Sequence, residues 1–559
     1  MSVSHCDVLI VGAGVAGQLA AVEAARRGKK VVMLSKVPPF LTHSRRPEGG
    51  INAALRPGDD WRGHAEDVWN DGHFLSDWDA LEAACREGPE VLKSEFFALL
   101  DRDAGGSPLA YDHAGTARSV KAGGNTGLNF MRTLYGRLGE LQVPLLDGRI
   151  LISLVTNSNR CLGCVALNVL TGELEGYAAS STILCTGGFG YLYETTAHDA
   201  SMTGDGQSLA YKAGAALKDM EFVRFHHFVI YGSHTTITEG AFRKGLQLYN
   251  KDNQRFFQKY EPELMEGAET YYLKRYIQLE IDAGNGVEDK YVWADFRHLG
   301  EETINQKVPR TRKDCLNALN LDIVHDRIPV APGVFATLGG IATDTHGRTN
   351  VAGLYAAGEC ACPGFHGADW RLGNTLLAAV AFGKRAGIAA SDGGREAAGH
   401  GAPVELALRG EAARLDAIVS RKDGEPYHLL RGRLRRAMST GAGTVRDRSR
   451  MEQARETIRD LRARYDRAIL WDRNVQFGQQ LADYLGLGNM LLLGEAVVQA
   501  ALAREESRGA HWRKDFPERD DLNWLRHSVQ LHNPEGDPAL SYAPVQLGEL
   551  TVKENVLIR

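Results

Sequence analysis

The chain opens on a short apolar run, Val8-Leu9-Ile10-Val11, that stops at Gly12-Ala13-Gly14-Val15-Ala16-Gly17. Small apolar residues then recur at helical spacing, Ala20, Ala21, Ala24 and Ala25, ahead of a second apolar run, Val31-Val32-Met33-Leu34. The pattern passes from buried strand to helix and back to strand, which predicts a βαβ unit with a glycine turn inside it. Glycines spaced Gly-x-Gly-x-x-Gly in that setting suit a dinucleotide. The first permits the tight turn, the second lets backbone approach a pyrophosphate, the third lets helix pack on strand, and the helix N-terminus stabilises phosphate charge.

Two more apolar runs end in the same way, Ser181-Thr182-Ile183-Leu184-Cys185 at Thr186-Gly187-Gly188, and Gly353-Leu354-Tyr355-Ala356-Ala357 at Gly358-Glu359. A discontinuous nucleotide-binding domain follows from the distance between them. From about Phe225 to Pro329 the chain is richer in Tyr, Phe, Lys and Glu and loses the strand-glycine-helix rhythm, as an inserted domain would. After about Gly401 come Arg-rich helical stretches; Met451 to Ala468 puts Ile458, Leu461 and Tyr465 on one face. Beyond about Asp520, Val545, Leu547, Leu550 and Val552 alternate in part, predicting added strands or an extended tail. The expected division is 1–224 and 331–400 for the nucleotide-binding domain, 225–330 for a capping domain, 401–519 for a helical domain and 520–559 for a C-terminal extension.

Charge and composition narrow the partners. With 65 Lys+Arg against 70 Asp+Glu there is no basic excess, so nucleic acid is not an expected partner. No apolar run reaches the roughly 18 residues of a membrane span, and the N-terminus lacks a secretion signature, so any membrane association is expected through a partner only. Eight cysteines in 559 residues are too few for a disulfide scaffold and fit a reducing cytoplasm. Cys161-Leu162-Gly163-Cys164 has no second half to complete a metal site, so it reads as two strand or turn cysteines, and no metal is expected.

The glycine turn alone leaves NAD, NADP and FAD open. Ser35-Lys36-Val37-Pro38-Pro39-Phe40-Leu41-Thr42-His43-Ser44, followed by Glu48-Gly49-Gly50-Ile51-Asn52-Ala53-Ala54-Leu55, resembles the flavoprotein subunit of the succinate dehydrogenase and fumarate reductase family, whose members read SKxxPTRSHTxxAxGGINAAL. His43 falls where that family links histidine to the 8α carbon of FAD; the alternative is a hydrogen-bonding histidine beside noncovalent FAD. The resemblance continues through Thr203-Gly204-Asp205-Gly206 (TGDG), Asp219 to His226 (DMExxQFH), Thr238-Glu239-Gly240 (TEG), Leu338 to Ile341 (MGGI), His366-Gly367-Ala368 (HGA), Glu506 to His511 (ESRGAH) and Asp515 to Trp524 (DFPxRDDxNW). It covers roughly residues 5 to 550. It implies an α/β fold with an FAD-binding Rossmann-like domain, an inserted α+β capping domain and a C-terminal helical domain. It also implies that Gly12, Gly14, Gly17, Ser35, Lys36, His43, Ser44, Gly49, Gly50, Thr186, Gly187, Gly188, Asp205, Gly358, Glu359, Asn374 and Leu376 surround FAD.

The family's chemistry is hydride transfer between flavin N5 and a carbon of a C4 dicarboxylate, with an arginine moving the proton and His, Thr and Arg holding the carboxylates. Electrons go to an iron-sulfur partner, in some members on a membrane anchor. His226, Thr238 and Glu239 match that machinery. Thr270, however, stands at the proton-shuttle arginine of GRD, Phe335 at the histidine of CHYMMGG, and Trp370 at the arginine of HGANRLGGN, with Arg371 one residue later. Arg371 is the expected replacement at one end of the pocket. In the inserted segment Arg243, Lys244, Lys274 and Arg275 are cations that could stand in, though each also reads as a surface charge, and Tyr271 and Tyr272 are phenols that either pack or donate a proton. The substrate expected is a succinate- or fumarate-like acid, or else a less charged or bulkier one in a pocket lined by Phe335 and Trp370. An electron-transfer subunit whose substrate chemistry is secondary is the third possibility; a free-standing oxidase of the aspartate oxidase kind is disfavoured by His43.

Overall fold

In the computed structural model, which describes residues 3–112, 117–268, 270–393 and 399–552, the first apolar run lies in β1 (Val3–Val11), the glycine turn leads into α1 (Val15–Arg26) and the second run is β2 (Val31–Leu34). Among the described residues β1 lies inside a seven-stranded sheet, with β2 parallel on one side and the strand Leu174–Leu184 parallel on the other. The strand Leu354–Ala356 pairs in parallel with Leu174–Leu184, so the third apolar run joins the same sheet from far along the chain. Val11 stands beside Leu34 and Leu184, and Leu184 beside Ala356. That register opens the turns at Gly12, Gly187 and Gly358 on one edge, the carboxyl end of the parallel strands, where doubly wound sheets bind ligands. Behind it, helix Asn374–Gly393 packs on α1 backbone to backbone: a Cβ on Gly383 or Gly387 would fall 2.6 Å or 2.5 Å from the carbonyl oxygen of Ala16 or Ala20.

Cys161 and Cys164 lie buried on the strand Arg160–Asn168, the strand placement that the lone CxxC led us to expect, and all eight cysteines are free thiols.

The inserted segment forms an antiparallel sheet in the order Val223–Ile230, Ile328–Thr337, Val292–Asp295, Gln247–Tyr249. Helix Thr270–Glu280 packs across the first two strands. The sheet starts slightly before Phe225 and runs on past Pro329, because strand pairing continues through the change in composition that marked those limits.

The helices Tyr427–Gly441, Arg448–Tyr465 and Gln479–Ala503 pack on one another, with Ile458 and Leu461 buried. Among the described residues Gln479–Ala503 alone is long and apolar enough to cross a membrane, yet 83% of its most apolar window is buried inside the molecule, as in a core helix. The C-terminal strands are Arg526–Leu531 and Ala539–Pro544, ahead of the alternating stretch from Val545 to Val552. That alternation belongs to the extended tail, which packs one side on the core.

Two buried charge clusters fix the strand that will carry the site. Glu221, just before Val223–Ile230, accepts from Arg504 Nε at 2.7 Å, and both Arg504 and Arg508 donate to Glu506 at 2.8 Å. Removing one partner from such a network strands a charge away from water, which costs about 3–5 kcal/mol. His527 sits between Asp219 at 2.6 Å and Asp77 at 3.1 Å; burial alone would lower its pKa, but the two carboxylates push it up to about 9.

Candidate active site

The glycine edge is shaped for backbone approach. Gly12 has φ +115°, and a Cβ there would lie 2.1 Å from the Cys185 carbonyl oxygen. A Cβ on Gly17 would lie 2.0 Å from the Gly12 carbonyl oxygen, and one on Gly14 would lie 2.8 Å from Ser44 Oγ. Ser44 Oγ accepts from the Val15 N–H at 3.1 Å, so the loop of His43 is held against the N-terminus of α1. Gly50, with φ +99°, passes close to the Val120 carbonyl, while Gly49 offers its own carbonyl to Ser119 Oγ at 2.9 Å. Glu359, after Gly358, accepts from Thr337 N–H at 2.9 Å and lies against Gly188. Gly187 gives its carbonyl to Gln207 at 2.9 Å, and Thr186 lies against Gly206. Asn374 Oδ1 accepts from Asn52 at 2.9 Å at the start of its helix, with Leu376 buried two residues on.

Three expected cofactor residues are spent on other protein groups. Ser35 Oγ donates to the Val37 carbonyl at 2.6 Å. Lys36 Nζ donates to Asp205 at 2.9 Å and Thr203 Oγ1 at 2.8 Å, and Asn489 also donates to Asp205 at 2.9 Å. Lys36 and Asp205 are thus held in place as a pair of matched charges.

His43 connects the two ends of the site. Burial, His198 and the guanidiniums of Arg46 and Arg45 hold its pKa well below the ordinary value, so it is a neutral imidazole at neutral pH. Its Nδ1 is buried without a hydrogen-bond partner among the described residues. The ring meets His198 edge-on at 4.7 Å. His198 Nδ1 accepts from Gly190 N–H at 3.2 Å, which assigns the proton to Nε2, and Nε2 donates to the Phe335 carbonyl at 2.9 Å.

Phe335 begins the acid-binding end. Its ring is 5.3 Å from His226 and 5.8 Å from Trp370. His226 Nδ1 accepts from Phe228 N–H at 3.0 Å, and burial with nearby Arg224 lowers its pKa to about 3. His226 is therefore neutral, with Nε2–H left as a donor. Thr238 is exposed where its carbonyl accepts from Ala241 at 3.0 Å; Glu239 opens the short helix Glu239–Phe242, its side chain outside the described set. Arg371 pairs with Asp71 at 2.7 Å. Beside Trp370 the structure puts Arg224, whose guanidinium lies over the indole at 4.7 Å and donates to Asp369 at 2.7 Å. Burial would raise the Asp369 pKa, but Arg224 and Lys274 hold it below the usual carboxylate range. Lys274 is 6% exposed on helix Thr270–Glu280. Lys244 reaches out to the Lys307 carbonyl at 2.8 Å, Arg275 lies over Trp512 at 4.7 Å, and Tyr272 stacks on Tyr276 at 6.0 Å.

The FAD-binding-domain family matches residues 7–376, and the fumarate reductase flavoprotein C-terminal family matches residues 431–556. The chain belongs to the succinate dehydrogenase and fumarate reductase flavoprotein family. It is 36% identical to a fumarate reductase flavoprotein subunit of Mycobacterium tuberculosis over 98% of each chain, and 33% identical to a succinate dehydrogenase flavoprotein subunit of Rickettsia bellii over 98% of this chain and 96% of that one. A solved chain of E. coli quinol fumarate reductase superposes with a TM-score of 0.90 at 30% identity, covering 99% of both. This flavoprotein is therefore an FAD-dependent oxidoreductase, and the glycine cradle and the orphaned His43 Nδ1 fit FAD.

Arg224, Asp369 and His198 were not singled out from sequence. The first two had a signal: Arg224 replaces the glutamine of DMExxQFH and Asp369 the asparagine of HGANRLGGN, a matched pair of gained charges 145 residues apart. His198 carries no family motif around it, and only the fold brings it to His43.

Proposed function

We propose that this chain is the flavin-carrying subunit of an oxidoreductase complex that interconverts CH–CH and C=C in an organic acid and hands the electrons to an iron-sulfur partner. The reading is supported by an FAD cradle joined, through His43, His198 and Phe335, to a pocket with the neutral donor His226 and the cations Arg224 and Lys274. Bound in the cradle, FAD supplies a two-electron hydride acceptor and donor at N5. The chain's own residues hold the acid: His226 Nε2–H donates to a carboxylate, and Thr238 and Glu239 stand at the family's positions for the same task. We assign the cofactor contacts to the glycine edge and the covalent 8α link to His43, whose neutral imidazole has a lone pair for bond formation. Cytoplasmic placement, with any membrane contact made by partner subunits, accords with a core-buried Gln479–Ala503.

One observation favours a substrate other than a dicarboxylate. At the Phe335–Trp370 wall, Arg224 already has Asp369 at 2.7 Å, and the buried Trp370 Nε1–H has no hydrogen-bond partner among the described residues. A lone neutral donor beside two aromatic rings suits a carbonyl or an apolar group better than a second carboxylate, whose burial without a matching cation is costly. The substrate then carries one carboxylate, at the His226 end.

Purified protein tests both statements. Acid precipitation leaves flavin bound to the wild-type polypeptide and releases it from His43→Ser, which still binds FAD when native; flavin wholly in the wild-type supernatant removes the covalent assignment. Assays with phenazine dye or reduced viologen against succinate, fumarate, crotonate and a neutral enone rank the substrates. Turnover of fumarate at roughly 1–1000 per second with no gain for crotonate removes the single-carboxylate reading and leaves the dicarboxylate one.

A further inference from the structure

Hydride transfer to or from one carbon needs a proton to leave or reach its neighbour, and the family's arginine for that work is Thr270 in this chain. Helix Thr270–Glu280 offers a substitute. Lys274 is four residues on, one helical turn, and so shares the face of position 270. The helix packs across the strands that carry His226 and Phe335, and Lys274 is 6% exposed within that contact. Among the described residues, the charged and titratable groups that act on it, or it on them, include Asp369, Arg224, Arg446, His226, His227 and His73. Arg446 is taken up by the Gly443 and Glu221 carbonyls at 3.0 Å and 2.8 Å and by His511 at 2.7 Å, and His226, His227 and His73 are all held neutral by burial. Among the described residues Asp369, pinned by Arg224, is the carboxylate that acts on Lys274.

We propose that Lys274 exchanges the proton with the substrate carbon adjacent to the one that gives or takes hydride, and that the Arg224–Asp369 pair positions it and sets its charge. The inference rests on the CH–CH chemistry proposed above. In the oxidation direction one C–H leaves with its electron pair as hydride to FAD, the neutral Lys274 amine takes the proton of the adjacent C–H, and that bond's electrons become the C=C; the amine becomes an ammonium. In reduction the ammonium returns the proton. Burial first, with Arg224 and Arg446 against Asp369, lowers the Lys274 pKa to about 8. That value lets the amine both take and return a proton near neutral pH.

The test uses the full flavoprotein with FAD bound, fumarate and crotonate as probes, and reduced viologen as donor, across pH 6 to 10. Wild-type reduction should fall above about pH 8 as the ammonium is lost. Lys274→Met should lower kcat by roughly 10²–10⁴-fold with flavin content retained and KM changed far less. Lys274→Arg should recover part of kcat and move the alkaline limb out of range, and Asp369→Asn should move the limb to lower pH, because the Asp369 charge favours the ammonium. An unshifted limb in Asp369→Asn and Lys274→Arg, or near wild-type kcat in Lys274→Met, overturns the assignment while the functional reading stands. If Lys274→Met fails to fold, the limbs of wild type, Lys274→Arg and Asp369→Asn still decide. A wild type that accepts electrons from dithionite and passes them to dye, yet reduces neither acid nor the enone, overturns the functional reading and this inference together.

Discussion

The glycine edge and the acid pocket lie next to each other, but their departures from the family pattern differ. At the glycine edge the glycines are kept, and the structure gives the reason: a side chain on Gly12, Gly14 or Gly17 would strike backbone or Ser44 within 3 Å. Function there is backbone shape, and shape belongs to one position. In the acid pocket function is charge, and charge can come from any neighbouring position on the same wall. Beside Trp370 stands Arg224, stacked over that ring with its charge matched by Asp369, and one turn past Thr270 stands Lys274. Position-by-position reading finds the first kind of site intact and scores the second as lost.

The largest expected effect breaks the first half of that comparison. Gly14→Val puts a branched side chain between α1 and Ser44, where the Cβ alone is already 2.8 Å from Oγ. Purified protein should come out colourless, and loss of a ligand held at about 100 times its Kd removes about 2.7 kcal/mol of stability, read as a fall in Tm. Normal flavin content would mean that backbone approach at this turn is not what FAD requires.

That contrast also explains what was legible in the sequence. β1, α1, β2 and the three glycine runs were readable because strand and helix periods and turn glycines are local properties, and the sheet register then carried Gly187 and Gly358 to Gly12. Of the two readings left for the C-terminal stretch, strands or an extended tail, the strands come before Val545 and the tail after it, because one-sided packing of an irregular segment gives the same alternation as a strand. Ser35, Lys36 and Asp205 belong to the right neighbourhood, but their polar atoms are satisfied by protein, something no motif reveals. Arg371 was expected at the pocket by proximity in sequence, and one residue along an irregular loop turned it to Asp71. Lys274 had only the helical spacing to recommend it over Lys244 and Arg275, and tertiary surroundings separated the three: Lys244 bonds the Lys307 carbonyl, Arg275, buried like Lys274, lies over Trp512, and Lys274 acts on Asp369.

A middle-sized effect sharpens the comparison. Phe335 stands between His226 and Trp370, and its carbonyl, not its ring, holds His198. Phe335→His should therefore leave the flavin spectrum unchanged while giving the wall an imidazole donor. Dicarboxylate binding, followed by perturbation of flavin absorbance, should tighten about tenfold, worth about 1.4 kcal/mol, with crotonate binding little changed. Equal gains for both acids would show that Phe335 excludes by size and not by polarity.

The smallest effect is expected at the residue that sequence position favoured most. Arg371 pairs with Asp71 on helix Trp61–Asp71, and both side chains are about three-quarters buried. Burial raises the Asp71 pKa to about 6 in spite of Arg371, so folding favours the protonated carboxyl. The stability this gives is complete below the unfolded value near 4 and is lost as pH rises through about 6. Removing the guanidinium in Arg371→Gln raises the Asp71 pKa further. The variant should match wild-type Tm near pH 4, where Asp71 is protonated in both, and fall behind by about 1 kcal/mol at pH 8, where only the wild type has a cation for the carboxylate. Its kcat/KM should change by less than about threefold, under 0.7 kcal/mol, against the far larger losses expected at Lys274. A hundredfold loss in Arg371→Gln with Tm preserved would make Arg371 the relocated pocket cation, and Arg224 with Asp369 would then be only the support for Trp370.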